Sequence, residues 1–120
     1  MTAYTDHGDS ELLDVISAEV DNTTTVTMEG FTRAMAHNFL GVQMFDTNGD
    51  LMVDADAGSF AVTFKTYNTQ QWEAPPDASI DSEAPTTLAW NGNVVAVKVV
   101  PTTLHATVVT WKVVLTKSRS

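Results

Sequence analysis

The chain has no cysteine. Disulfide staples, thiolate catalysis and cysteine-ligated zinc are therefore excluded. At 120 residues and without staples, it must rely on a well-packed core or on association. Basic residues are also scarce: six Lys and Arg stand against fifteen Asp and Glu, a formal net charge of −9. Residues 1–56 hold eleven acids and one base, Arg33, whereas 57–120 hold four acids and five bases. A negative field repels phosphate backbones and anionic bilayers, so neither nucleic acid nor a membrane is an expected partner. The plainer consequence of the acidity is solubility. No run of about 18 apolar residues occurs, so no spanning helix is expected. Met1 to Asp6 lacks a basic and an apolar region and does not read as a signal peptide. The six glycines are isolated, which leaves no glycine-rich phosphate loop.

What is present is period-two alternation. Hydrophobic residues make up 43% of the chain, enough for one globular core. Phe60, Val62 and Phe64 alternate with Ala61, Thr63 and Lys65, as in a half-buried strand. Val109, Trp111, Val113 and Leu115 alternate with Thr110, Lys112 and Thr116 in the last strand, expected over 108–116 before a polar tail at 117–120. Val95, Val97 and Val99 form one face of a strand over 94–100 that Pro101 is expected to end. Leu88 and Trp90 alternate into Asn91-Gly92-Asn93, a hairpin-type turn. Phe39 to Phe45 reads as a strand, returned by Leu51-Met52-Val53 across Asn48-Gly49, whose residue types suit a type I′ turn. Residues 11–21 fit a helix face or a strand. The Asp21-Asn22 turn and the β-branched stretch after it favour the strand. Phe31 to Asn38 fits either alternation or a helical turn. Residues 68–87, with Pro75, Pro76 and Pro85, read as a long polar connection. The expectation is an all-β, antiparallel β-sandwich, jelly-roll-like, of seven to eight short strands. Residues 1–11 would form a flexible N-terminal arm and 12–117 the single domain.

Residues with chemical potential are few. Asp46, Asn48 and Asp50, with Asp54, place oxygens at alternate positions as a calcium loop does. The sixth and twelfth positions are Leu51 and Ala57, where such a loop wants glycine and an acid, so a plain turn is the stronger reading and no metal or cofactor is expected. His7, His37 and His105 lie at no metal-ligand spacing. No Gly-x-Ser-x-Gly is present, and a small domain has little room for a pocket with converging groups. No catalytic residue is assigned. Trp111 and Trp90 fall on apolar faces and read as core. Trp72 sits in the polar connection near Tyr67. A loop tryptophan covers the core, anchors a protein or stacks on a sugar, which makes Trp72 and Tyr67 the expected contact residues.

From about Val26 onward the chain resembles small accessory virion proteins of tailed bacteriophages. The residues that carry this are Gly30-Phe31 after a strand, then Val42-Gln43-Met44-Phe45-Asp46 before the Asn-Gly turn. Ala57-Gly58 then opens the Phe60-Val62-Phe64 strand, Ile80-Asp81 lies in the acidic loop, and Leu88-Ala89-Trp90 precedes Asn91-Gly92-Asn93. The resemblance implies a non-enzymatic capsid decoration or cement protein in the virion, assembled in the host cytoplasm. Its partners would be major capsid or tail subunits and further copies of itself, a homo-oligomer. A tail or fibre component and a carbohydrate-binding module are the alternatives. The style fixes no functional residues.

Overall fold

The structure, a computed structural model, describes residues 3–9, 13–31, 35, 37–52, 58–74, 79–81, 88–104 and 106–119. Among the described residues ten strands run in chain order: β1 (Thr5–Asp9), β2 (Leu13–Asp21), β3 (Val26–Glu29), β4 (His37–Phe45), β5 (Gly58–Thr66), β6 (Trp72–Glu73), β7 (Ser79–Asp81), β8 (Leu88–Asn91), β9 (Val94–Leu104) and β10 (Thr110–Ser118). The first sheet runs β1-β2-β10-β4-β8 and the second β3-β9-β5-β6, with β7 also paired to β5. All ladders are antiparallel. From β2 onward the chain alternates between sheets: β2, β4, β8 and β10 lie in the first, and β3, the β5–β7 run and β9 in the second. This is an all-β sandwich with jelly-roll-like alternation, as the periodicity predicts.

Alternation works because a pleated strand sends successive side chains to opposite faces. Phe60, Val62 and Phe64 of β5 are buried, and so are Trp111, Val113 and Leu115 of β10. The two sheets meet through aromatic pairs with one ring from each. Trp111 lies 4.7 Å from Phe60 between centroids, and Trp90 lies 5.3 Å from Phe64. Such pairs contribute about 0.5–1.5 kcal/mol each beyond area burial.

Several expectations are corrected. Residues 5–9, placed in the arm, form β1 on the edge of the first sheet, and Tyr4 donates from its hydroxyl to the Glu29 carbonyl of β3 at 3.0 Å. A paired backbone satisfies hydrogen bonds that a free arm would leave to water; residues 10–12 lie outside the description. Pro101 does not end β9. It lies at a register shift opposite Phe60, where a bulge removes the need for its missing N–H. Asn91-Gly92-Asn93 is no hairpin turn, since β8 and β9 belong to different sheets; Gly92, at φ +139°, turns the corner between them. The Asn48-Gly49 turn is not type I′. Gly49 alone has positive φ, and its N–H donates to the Asp46 carbonyl at 3.0 Å, as in a type I turn closed by a left-handed glycine. The return past that turn holds a single bridge, Phe45 to Leu51; Val53 lies outside the description. The connection at 68–87 contains β6 and β7, which share the outer side of β5 end to end; Pro75, Pro76 and Pro85 are not described. The helix-or-strand stretch leaves Phe31 and Met35 buried, with residues 32–34 and 36 undescribed. β10 runs to Ser118, so Lys117 and Ser118 belong to the sandwich rather than to a tail.

Candidate interaction surface

Register places a distinct set of side chains on the outside of the second sheet. One row reads Glu29, Ala96, Lys65, Trp72 across β3, β9, β5 and β6. The next reads Thr27, Lys98, Thr63. Lys65 and Lys98 are thus diagonal neighbours, roughly 7 Å apart along the sheet. Both ammonium groups lie over the Trp72 indole, at 4.3 Å from the centroid for Lys98 and 4.9 Å for Lys65. Neither has a carboxylate partner among the described residues. Trp72 is half-buried, so it covers the sheet's charged outer face and not the core. Tyr67 is 73% exposed and its backbone N–H donates to Asn93 O at 3.0 Å. Tyr67 lies in the turn between β5 and β6 and Trp72 opens β6, but their rings make no contact with each other.

That turn is closed by Gln70, whose N–H donates to the Thr66 carbonyl at 3.0 Å and whose side chain donates to Tyr67 O at 3.0 Å. Gln70 has φ +54°, and among the described residues it alone adopts positive φ without being glycine. Such strain persists only where surrounding structure determines it. Between Glu29 and Lys65 the small Ala96 leaves an open cleft of about 410 Å³, which Gln70, Val95 and Phe31 also border.

The other candidates that are described make local hydrogen bonds. Asp46 Oδ1 accepts the N–H of Asn48 at 2.9 Å and of Asp50 at 3.1 Å, an Asx-type turn, so the calcium-like spacing builds a turn. Asp54 is undescribed. Among the described residues no three His, Asp or Glu converge as metal ligands. His7 Nε2 lies 2.5 Å from Ser17 Oγ, tying β1 to β2. His37 Nδ1 lies 2.9 Å from Asn91 Oδ1, and His105 is undescribed.

Two sheet edges differ in chemistry. β1 carries Asp6, a charge that discourages strand pairing. β8 is Leu-Ala-Trp-Asn with no charge, and its exposed Ala89 stands opposite Phe39, which is 41% exposed.

Sequence reading missed Lys65, Lys98, Glu29 and Gln70 because strand alternation gives a face, not its neighbours across strands. It also missed Lys117, fully buried, although 111, 113, 115 and 117 share parity and the signal was present. The Lys117 ammonium donates to Val94 O at 3.0 Å and lies 5.0 Å from the Phe31 ring. Asp14 stands directly opposite it in the ladder.

Solved structures similar to this chain include a cupin superfamily protein from Desulfitobacterium hafniense, at 9% identity over 98% of this chain and 77% of that one, with a TM-score of 0.48. The SPBc2 prophage-derived protein YomS is 12% identical over 92% of this chain and 100% of its own, with a TM-score of 0.47. A chain of the acid-stable capsid of Helicobacter pylori bacteriophage KHP30 is 15% identical over 98% and 95%, with a TM-score of 0.42. No curated protein matches the chain. A family model described as a domain of unknown function, DUF7265, matches residues 13–120, and the chain belongs to that family.

Proposed function

We propose that this chain is a non-enzymatic structural protein of a virus particle. In this reading it is a decoration or cement subunit present in many copies, held by capsid or tail subunits and by copies of itself, in a particle assembled in the host cytoplasm. The observation that carries the reading is the β8 edge. A four-residue edge strand without a charge, with its own Ala89 exposed opposite the exposed Phe39 of β4, is a surface that another chain can extend or cover. The opposite edge of the same sheet bears the charged Asp6, so association would be confined to one side. The resemblance of the sequence to accessory phage proteins points the same way.

The test is association of the purified chain with itself and with virion subunits from the phage or prophage that encodes it. Light scattering coupled to gel filtration reads the first, and co-sedimentation with particles reads the second. Ala89→Lys on the exposed position of β8 is expected to weaken assembly at least tenfold without changing the circular dichroism spectrum. A chain that stays monomeric and sediments with no particle would refute the proposal.

A further inference from the structure

We propose that the cleft on the outer face of the second sheet binds a carboxylated sugar ring, a hexuronic acid unit of an acidic glycan. Three observations converge there. First, the cross-strand row Glu29–Ala96–Lys65–Trp72 puts an acceptor and a donor at the two sides of a methyl-sized floor, with about 410 Å³ of open space between them. That volume lies in the range of small-ligand sites. Glu29 and Lys65 stand two strands apart, roughly 9.5 Å at the backbone, and form no ion pair with each other. Each retains hydrogen-bonding capacity toward a guest.

Second, Lys65 and Lys98 are like charges on adjacent strands of an acidic protein, and among the described residues no carboxylate answers either one. Diagonal like charges repel, and the Trp72 ring offsets this only through its π face. An external carboxylate would complete the site. Third, the wall is fixed in advance. Gln70, which borders the cleft, is held in the left-handed region by the turn Thr66–Gln70. A sugar presents hydroxyls for Glu29 and Gln70, C–H groups for Ala96 and Phe31, and, in a uronic acid, a carboxylate for Lys65. A purely apolar ligand would strand these polar groups, and a bare anion would leave Glu29 facing it.

The site lies on the second sheet, away from β8 of the first, so the inference does not rest on the particle reading and either can fail alone. The experiment uses the full chain with trigalacturonate and with galactotriose, its counterpart without carboxylates. Trp90 and Trp111 are buried, so a ligand-dependent change in tryptophan emission reports Trp72. Saturable binding of trigalacturonate is expected, at least tenfold tighter than galactotriose. It should weaken at least tenfold in Lys65→Met and several-fold in Glu29→Gln, with thermal melting unchanged in both. Calorimetry on the same solutions provides an independent readout. No saturation at millimolar trigalacturonate, equal affinity for the neutral trimer, or binding indifferent to Lys65→Met would each overturn the proposal. So would equally tight binding of triglutamate, which would make the site a plain anion trap.

Discussion

The Lys117 ammonium donates a hydrogen bond to the backbone carbonyl of Val94 at 3.0 Å, and by doing so joins β10 of one sheet to β9 of the other. Lys117 is fully buried on the face that holds Trp111, Val113 and Leu115. A buried charge is tolerated only when hydrogen-bonded or paired. Lys117→Met keeps most of the volume and leaves the Val94 carbonyl without its donor. The expected loss is roughly 1–3 kcal/mol of unfolding free energy, read as a lower urea midpoint at unchanged slope. An unchanged midpoint would show that the bond contributes nothing net.

Asp21 closes the β2–β3 corner. Its carboxylate accepts from the hydroxyls of Thr24 at 2.7 Å and Thr23 at 2.8 Å, and from the Thr23 N–H at 3.0 Å. These bonds, the one from Thr24 first, hold its pKa below the ordinary value of 3.8. A depressed carboxylate pKa stabilises the fold above the unfolded value, and the benefit disappears as pH falls through the folded value. Wild type should therefore exceed Asp21→Ala in melting temperature at pH 6, with the gap closing below about pH 3.8, the unfolded value. A gap that persists at pH 2 would assign the difference to packing instead.

Two glycines in strands make a matched pair. A Cβ on Gly58 would lie 2.6 Å from the Thr103 carbonyl oxygen and 2.7 Å from Leu104 Cδ2, whereas a Cβ on Gly41 meets nothing within 4 Å. Gly58→Ala should cost roughly 1–3 kcal/mol by forcing β5 from β9. Gly41→Ala should be neutral or stabilising, since it removes backbone freedom from the unfolded chain. Equal effects in thermal melts would contradict the close approach at Gly58.

The Asp46 turn should behave as a turn. Asp46→Ala removes the acceptor for two backbone N–H groups and is expected to cost about 1 kcal/mol. The cost should be the same in calcium and in chelator, because the aspartate's work is done on the backbone. A melting temperature that rises with calcium in wild type alone would restore the metal reading.

Local chemistry along each strand decided which residues turn inward. A pleat repeats every two residues whatever the fold around it. Phe60, Val62, Phe64, Trp111, Val113 and Leu115 could be assigned to the core from alternation alone, and the same parity would have carried Lys117 inward with them. Turn residues announced breaks in the chain at Asn48-Gly49 and Asn91-Gly92, but not what those breaks connect. Whether a glycine closes a hairpin or turns a corner between sheets depends on the partner of the next strand, and that pairing is made by residues far away in sequence. The same long-range pairing brought Lys65, Lys98 and Trp72 together from three separate stretches, and put Glu29 across Ala96 from Lys65. Periodicity is a property of one strand and is written in it. A site on a sheet is a property of several strands side by side, and only tertiary structure sets their register.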